Sequence, residues 1–370
     1  MQWSLFLLVL MGHCPFSTCH FYEYHFIEEN KTWDEAQLYC REKYTDLATV
    51  YNMTDMKRLH NSSAAQAWIG LYNNTTGEKE WHWSLPGVEY NDTHTLWNKD
   101  EPNDKTGHEN CVSMDTARKL FDIVCDREYS FICYNESSSV KYHLIEEKKN
   151  WTQAQSYCRE HHTDLVSGER QLQDNELKEE TNKSQMKAMN NNQNLWIGLF
   201  RDTWTWSDGS NFPFRHWDQG PFGDGQGQKN CTFLKTSGKW GSDRCHERKP
   251  FFCYEDKLIL IQQNMTWVEA FYHCREKYCD LVSITDVHQQ RWVQQRAKNA
   301  SSPFVWLGMR YTCTLDFWFW VSDETADYLN WESEEKTDDC DFSGAMETGG
   351  HYKWIKKMDS EKFNFICSDF

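Results

Sequence analysis

The chain has 370 residues, and 15 of them are cysteine and 19 are tryptophan. Its formal net charge is −17 at pH 7, which argues against nucleic acid or anionic polysaccharide as a partner, because such partners need clustered lysine and arginine. The number of cysteines indicates an oxidising compartment, where cysteines pair as disulfides.

The chain begins with a short apolar run from Ser4 to Met11, followed by small residues at Ser17 and Cys19. This pattern predicts a signal peptide over residues 1–19. A membrane anchor is the alternative, but the run is far shorter than the roughly 20 residues that span a bilayer. Twelve Asn-x-Ser/Thr sequons fit the same interpretation. We therefore expect a secreted, extracellular glycoprotein with no membrane span.

The first predicted helix opens with a capping box formed by Thr32 and Glu35 and continues to Lys43. A second helix is predicted from Asp55 to Ala65. The stretch Trp68-Ile69-Gly70-Leu71 follows as a core strand, and short strands and a long polar loop come after it.

This frame occurs three times. The core strand returns as Trp196-Ile197-Gly198-Leu199 and as Trp306-Leu307-Gly308-Met309. Each copy also has a tryptophan seven residues before a cysteine, at Trp33 and Cys40, Trp151 and Cys158, and Trp267 and Cys274. The cysteines recur every 118 and 116 residues, which is far longer than a solenoid repeat. The sequence therefore predicts three tandem domains over residues 21–134, 140–254 and 257–370.

Together these motifs resemble the C-type lectin-like domain, in an array of the macrophage mannose receptor type and in soluble form. The resemblance implies an α+β fold, in which each domain has two helices, small antiparallel sheets and a long loop region stapled by disulfides. It also implies a carbohydrate-binding protein that recognises glycans or glycoproteins. We do not expect an enzyme, because the histidines have no matching nucleophile or metal-ligand spacing.

The resemblance implies an outer disulfide that closes each domain, namely Cys40–Cys133, Cys158–Cys253 and Cys274–Cys367. It implies an inner disulfide in the first two domains, namely Cys111–Cys125 and Cys231–Cys245. The third domain has Asp359 where the others have the last inner cysteine. The pairing of Cys279, Cys313 and Cys340 therefore stays open, and one of them can form a disulfide-linked dimer. Zinc bound by Cys274, Cys279 and His273 is an alternative that a secreted chain disfavours.

The first domain carries Glu101-Pro102-Asn103 on a polar loop, with Glu109 close behind. Side-chain oxygens of this kind are what Ca²⁺ takes in sets of six to eight. The resemblance implies a cis Glu101-Pro102 bond and Ca²⁺ ligands at Glu101, Asn103, Glu109 and Asp122. It implies that Glu101, Asn103 and Glu109 also bind the hydroxyls of a mannose-type sugar. Phe121 stands where the family has a further ligating asparagine, so we expect a weakened site.

The other two domains lack this set of oxygens. The second has Gly220-Pro221-Phe222 in the loop and Lys229 at the position of Glu109, and the third has Glu334, Glu335 and Asp338 on a shortened loop. We expect these domains to bind protein or to act as spacers. Two functions stay open: a Ca²⁺-dependent lectin that works through its first domain, and a calcium-independent protein-interaction module.

Overall fold

A computed structural model describes residues 21–62, 65–91, 96–115, 117–187, 194–218, 228–322, 324, 326–333 and 340–369. The predicted signal peptide lies outside these residues, as do Gly220-Pro221-Phe222 and the acidic residues Glu334, Glu335 and Asp338. Among the helices described, none is long and apolar enough to cross a membrane.

The chain forms two compact units. The larger unit is Tyr24–Tyr254, and the smaller is Glu255–Phe370 together with residues 21–23. The helices associated with the larger unit are α1 (Trp33–Lys43), α2 (Met53–Ser62), α3 (Trp151–His161), α4 (Glu169–Gln173) and α5 (Asn175–Lys187). Its strands from the first repeat are β1 (Tyr22–Lys31), β2 (Asp46–Leu47), β3 (Ala67–Asn73), β4 (Glu80–Trp83), β5 (Cys111–Met114), β6 (Leu120–Ile123) and β7 (Tyr129–Tyr134). Its strands from the second repeat are β8 (Tyr142–Lys149), β9 (Asp164–Leu165), β10 (Leu195–Asp202), β11 (Trp204–Trp206), β12 (Cys231–Leu234), β13 (Trp240–Asp243) and β14 (Lys249–Asp256).

The smaller unit holds the third repeat around one sheet. Its helices are α6 (Trp267–Lys277) and α7 (Val287–Ala297). Its strands are β15 (Leu258–Met265), β16 (Asp280–Leu281), β17 (Phe304–Thr312), β18 (Phe317–Trp320), β19 (Phe342–Glu347), β20 (Trp354–Met358) and β21 (Phe363–Ser368).

The first helix of each repeat begins with a capping box. At α1, the Thr32 side chain accepts from the Glu35 N–H, and the Glu35 side chain accepts from the Thr32 N–H, as the sequence predicts. The same reciprocal pair starts α3 at Asn150 and Gln153, and α6 at Thr266 and Glu269. The second helix begins at Met53 rather than Asp55, because the Asn52 side chain accepts the Asp55 N–H at 2.9 Å.

Two recurring tryptophans hold each of these helices against its core strand. In the first repeat, Trp33 Nε1 donates to Ile69 O at 2.9 Å, and Trp68 Nε1 donates to Lys31 O at 3.1 Å. The equivalent bonds join Trp151 to Ile197, Trp196 to Lys149, Trp267 to Leu307 and Trp306 to Met265. A buried indole N–H needs an acceptor, and this need explains why both tryptophans recur.

The glycine of the repeated stretch allows a close approach of two strands. The Gly70 N–H donates to Ala48 O at 2.9 Å. A Cβ at Gly70 would lie 2.9 Å from Leu47 O, which is closer than real Cβ atoms come to a backbone oxygen. A side chain at this position would therefore push β2 and β3 apart.

The two core strands of the larger unit are completed by strands of the other repeat. β3, from the first repeat, pairs with β11, β12 and β14 of the second. Reciprocally, β10 of the second repeat pairs with β4, β5 and β7 of the first. In the smaller unit, β17 pairs with β18, β19 and β21 of its own repeat. The first two repeats have therefore exchanged their C-terminal halves.

The chain passes from one sheet of the larger unit to the other near Thr203. The Asn74 N–H donates to Thr203 O at 2.9 Å, and Thr203 Oγ1 donates to Asn73 Oδ1 at 2.5 Å. Close by in the chain, Arg215 is only 2% exposed and donates to both carboxylate oxygens of Asp202 and to three backbone carbonyls. A buried guanidinium with all of its donors used fixes this junction firmly.

The exchange changes the outer disulfides. The expected pairs Cys40–Cys133 and Cys158–Cys253 are wrong, because the structure joins Cys40 to Cys253 and Cys133 to Cys158. The physical reason is that Cys253 of β14 pairs with Leu47 of β2 in one sheet. Cys40 of α1 packs in the same core cluster as these two residues. The inner pairs Cys111–Cys125 and Cys231–Cys245 form as expected, as does Cys274–Cys367 in the smaller unit.

The third repeat replaces its inner disulfide by a hydrogen bond. Ser343 pairs with Arg310, four residues after the repeated tryptophan, just as Cys111 pairs with Phe200. Ser343 Oγ donates to Asp359 Oδ1 at 2.6 Å, so these two side chains stand where the other repeats have cysteines. Of the cysteines left open, Cys313 bonds to Cys340, and Cys279 is exposed. The zinc alternative is wrong, since Cys274 is held in its disulfide with Cys367.

Candidate functional site

The long loop of the first repeat is anchored at both ends. Trp97 forms a β-bridge with Leu120 of β6, and the Asn98 N–H donates to Leu120 O at 3.0 Å. The Trp97 ring lies 5.1 Å from the ring of Trp81 in β4. At the other end, Cys111 opens β5 and is bonded to Cys125. These contacts hold residues 98–110 against the end of the sheet.

Asp122 lies at the centre of this loop. Its side chain is fully buried, and its two carboxylate oxygens accept the backbone N–H groups of Asn103 at 2.9 Å and Asp104 at 2.8 Å. One oxygen each from Asp104, Glu109 and Asp122 lies within 4.8 Å of the others. Three carboxylates at this separation repel one another unless positive charge lies among them.

Glu101 lies on the same loop and is joined to Pro102 by a cis peptide bond, as the resemblance implies. Its Oε2 atom is buried and accepts no hydrogen bond within the described part of the chain. Burial, followed by the neighbouring Asp122 and Glu109 carboxylates, raises the pKa of Glu101 to about 7. A buried carboxylate oxygen is stabilised by a hydrogen-bond donor or a cation. Glu101 Oε2 has no such donor within the described part of the chain.

Asn103 and Glu109 face a common donor. The Lys105 N–H donates to Asn103 Oδ1 at 2.9 Å and to Glu109 Oε2 at 2.7 Å. The structure thus brings together all four residues predicted as ligands, Glu101, Asn103, Glu109 and Asp122. Phe121 is half-buried in β6, on the face opposite to the buried Asp122.

Two cations and one carboxylate at this site were not predicted. Arg201 Nη2 lies 2.8 Å from Asp122 Oδ2 and 3.2 Å from Asp104 Oδ1. Lys79 Nζ lies 3.1 Å from Asp104 Oδ2. Burial opposes the change, but the Glu109 N–H together with Lys79 and Arg201 lowers the pKa of Asp104. Asp104 could have been found as an acidic residue between Asn103 and Glu109, whereas Arg201 lies in the other repeat.

The other two repeats do not rebuild this cluster. Register with the neighbouring strand places Ser242 and Lys356 at the position of Asp122. Lys229 is exposed, and Asp243 is paired to Lys249 at 2.7 Å. In the third repeat, Asp359 is bound by Ser343 and by Arg310, whose Nη2 atom lies 3.1 Å away. Asp243 and Asp359 are therefore engaged by their own neighbours.

A family model described as the Lectin C-type domain matches residues 29–135, 147–255 and 263–369. The C-type mannose receptor 2 of Homo sapiens is 21% identical over an alignment of 416 residues. The alignment covers 94% of this chain and 27% of the receptor. The secretory phospholipase A2 receptor of Homo sapiens is 21% identical over 373 residues, which cover 81% of this chain and 24% of that receptor. The chain thus spans about a quarter of the length of these relatives. The solved structure of human lithostathine is 20% identical and covers 30% of this chain and 89% of its own, with a TM-score of 0.28.

Proposed function

Because the chain belongs to the C-type lectin domain family of carbohydrate-recognition proteins, we propose that it is a secreted, extracellular glycan-binding protein. In this proposal, residues 1–19 are a signal peptide, and three repeats follow over residues 21–134, 140–254 and 257–370. The long loop of the first repeat binds mannose-type glycans or glycoproteins with the help of Ca²⁺. The matched relatives are named as receptors, which agrees at the family level with a role that is not enzymatic.

The observation that carries this proposal is the convergence of oxygens around Asp122. Asp104, Glu109 and Asp122 each place an oxygen within 4.8 Å of the others, and Glu101 Oε2 is buried without a described donor. Hard oxygens of this type and number fit Ca²⁺. Glu101, Asn103, Glu109 and Asp122 would hold the ion, and water or sugar hydroxyls would complete its shell.

The chain's own residues orient the sugar. Side-chain oxygens of Glu101, Asn103 and Glu109 accept hydrogen bonds from neighbouring hydroxyls, while Asp122 holds the loop backbone in place through Asn103 and Asp104. Ca²⁺, when bound, supplies positive charge that attracts the hydroxyl oxygens. Charge-assisted hydrogen bonds of this kind are about twice as strong as neutral ones, so a single loop can select a pair of hydroxyls.

The test is retention of the full chain on a mannan column in Ca²⁺. We expect Glu101→Gln to weaken retention about tenfold or more, since it removes one charged ligand and one charged hydrogen-bond acceptor. The matched control is Glu332→Gln, which changes an exposed acid on the equivalent loop of the third repeat. A chelator is expected to abolish retention of the wild type and of this control.

A calcium-independent protein-interaction module is the second candidate function. The ion pairs that Arg201 and Lys79 make with Asp122 and Asp104 favour it, because they neutralise part of the cluster without a metal. Retention that persists in chelator, or that Glu101→Gln leaves unchanged, contradicts the calcium-dependent lectin. An absence of retention in Ca²⁺ supports this second function.

A further inference from the structure

Arg201 reaches the loop of the first repeat from a strand of the second. Its Nη2 atom donates to Asp122 Oδ2 at 2.8 Å and to the carbonyl oxygen of Glu109 at 2.9 Å. The guanidinium carbon lies 4.6 Å from the ring centre of Trp81, and the side chain is 11% exposed. The aromatic ring, the carbonyl oxygen and the buried carboxylate together fix the position of the guanidinium at the loop.

The exchange of halves decides which residue stands here. Arg201 is the fifth residue after Trp196, and Asn73 is the fifth residue after Trp68. The Arg201 N–H donates to Asn110 O at 2.8 Å, and the Asn73 N–H donates to the equivalent Asn230 O at 2.8 Å. Without the exchange, the first repeat would place its own Asn73 against its acidic loop. With the exchange, it receives an arginine.

This substitution changes the charge inside the cluster. Asp104, Glu109 and Asp122 bring three carboxylates together, and Asp122 is fully buried. Arg201 lies within 3.2 Å of both aspartates, where a cation lowers the repulsion between them. A neutral asparagine at the same position would leave this repulsion to be relieved by a metal ion.

We propose that Arg201 is a tethered counter-cation, which the second repeat supplies to the loop of the first and which competes with Ca²⁺ at Asp122. The loop then keeps its fold without metal, and the exchange of halves sets its affinity for Ca²⁺. This inference rests on the proposed function, since it takes the loop to be the Ca²⁺ site.

The test is calorimetric titration of the full chain with Ca²⁺, using reciprocal variants at the two equivalent positions. We expect Arg201→Asn to bind Ca²⁺ about tenfold more tightly or better, because site affinity follows the net charge of the ligand set. Arg201→Lys keeps the charge and is expected to bind as the wild type does. Asn73→Arg is also expected to leave the affinity unchanged, because the exchange places residue 73 against the second repeat. Asn73→Gln is its control, as it removes the same sequon without adding charge.

A gain in affinity with Arg201→Asn and no loss with Asn73→Arg supports the inference. Equal affinities for the wild type and Arg201→Asn overturn it, and so does an absence of Ca²⁺ binding in both. The inference is also overturned if Asn73→Arg lowers the Ca²⁺ affinity while Arg201→Asn does not raise it. That result would place residue 73 at the acidic loop.

A second measurement needs only the wild type and therefore stands even if Arg201→Asn does not fold. Hydrogen exchange of the Asn103 and Asp104 amides, which donate to Asp122, is expected to be equally slow in Ca²⁺ and in chelator. Fast exchange in chelator alone overturns the inference. Mannan retention separates the two proposals: if no variant is retained while the affinities follow the expected order, the sugar function fails and the role of Arg201 stands.

Discussion

His82 and His216 are half-buried in the larger unit. Burial lowers the pKa of His82 to about 4, while Asp202 raises it and Arg215 lowers it by smaller amounts. Burial, together with the Arg159 and Lys239 charges, lowers the pKa of His216 to about 3. An unfolded histidine has a pKa of about 6.5, so the unfolded chain binds protons in a pH range where the folded chain does not.

The contribution of these two histidines to the free energy of unfolding is therefore expected to be greatest above about pH 6.5 and to fall as the pH drops towards 4, by about 1.4 kcal/mol for each unit of pKa difference. His82→Gln should remove part of this fall, because glutamine takes up no proton. Urea unfolding at pH 7.5 and at pH 4.5 measures the effect. His246→Gln, whose side chain is 73% exposed in the wild type, is the control. An unchanged pH dependence in His82→Gln contradicts the prediction.

The resemblance pointed to four candidate Ca²⁺ ligands, whose role stays a prediction, but it did not point to the cations beside them. Glu101, Asn103, Glu109 and Asp122 share one repeat, and the structure brings them together. Arg201 lies 79 residues from Asp122, in a strand that the repeat pattern assigns to another domain. Nothing in the local sequence links the two. Only the exchanged strand pairing places that arginine at the loop.

At the scale of elements, Asn150 has two possible roles. It is the first residue of a sequon, and its side chain accepts the Gln153 N–H at 2.9 Å at the start of α3. Asn150→Ala is expected to cost about 1 kcal/mol of unfolding free energy, because it removes the N-cap. Asn150→Asp keeps an acceptor and removes the sequon, so it should retain the stability of the wild type. Denaturant unfolding of deglycosylated protein checks both. Equal losses in the two variants would contradict the role of Asn150 as the N-cap and assign the effect to packing.

The elements themselves were largely predictable, because each depends on a local signal. The capping box at Thr32 and Glu35 sets the start of α1, and the continuous apolar run of the repeated tryptophan stretch sets the core strands. The start of α2 was missed by two residues, since Asn52 caps it and no strong pattern marks that asparagine. Local hydrogen bonding thus explains both the successes and the error.

At the scale of the whole molecule, strand partners could not be predicted from the repeats. Trp68-Ile69-Gly70-Leu71 and Trp196-Ile197-Gly198-Leu199 are identical, so either stretch fits the closing strand of either repeat. The exchanged pairing is accompanied by contacts that the repeated pattern does not contain. Arg215 and Asp202 form a buried ion pair beside the crossing at Thr203, with side chains that are each 3% exposed. Removing one partner of such a pair is strongly destabilising, so the crossing depends on both residues.

The exchange makes a direct prediction about covalent connectivity. The disulfides Cys40–Cys253 and Cys133–Cys158 both join residues on opposite sides of the segment 135–141, which links the first two repeats. Residues 136 and 137 in this segment are exposed, and a specific protease site inserted there should be cut in the folded protein. After cutting, the two fragments are expected to stay together on a denaturing gel without reductant and to separate once reductant is added.

The non-exchanged pairing gives the opposite result. Cys40–Cys133 and Cys158–Cys253 would each lie within one fragment, so cutting alone would release the first repeat under denaturing conditions. The same insertion after Asp256, between β14 and β15, is the matched control. The described disulfides that lie on either side of that point do not cross it, so we expect those fragments to separate without reductant. Peptide mapping of the linked fragments should recover Cys40 bound to Cys253 and Cys133 bound to Cys158. Separation at the first site without reductant would show that each repeat closes on itself, and Arg201 would then lie away from the acidic loop.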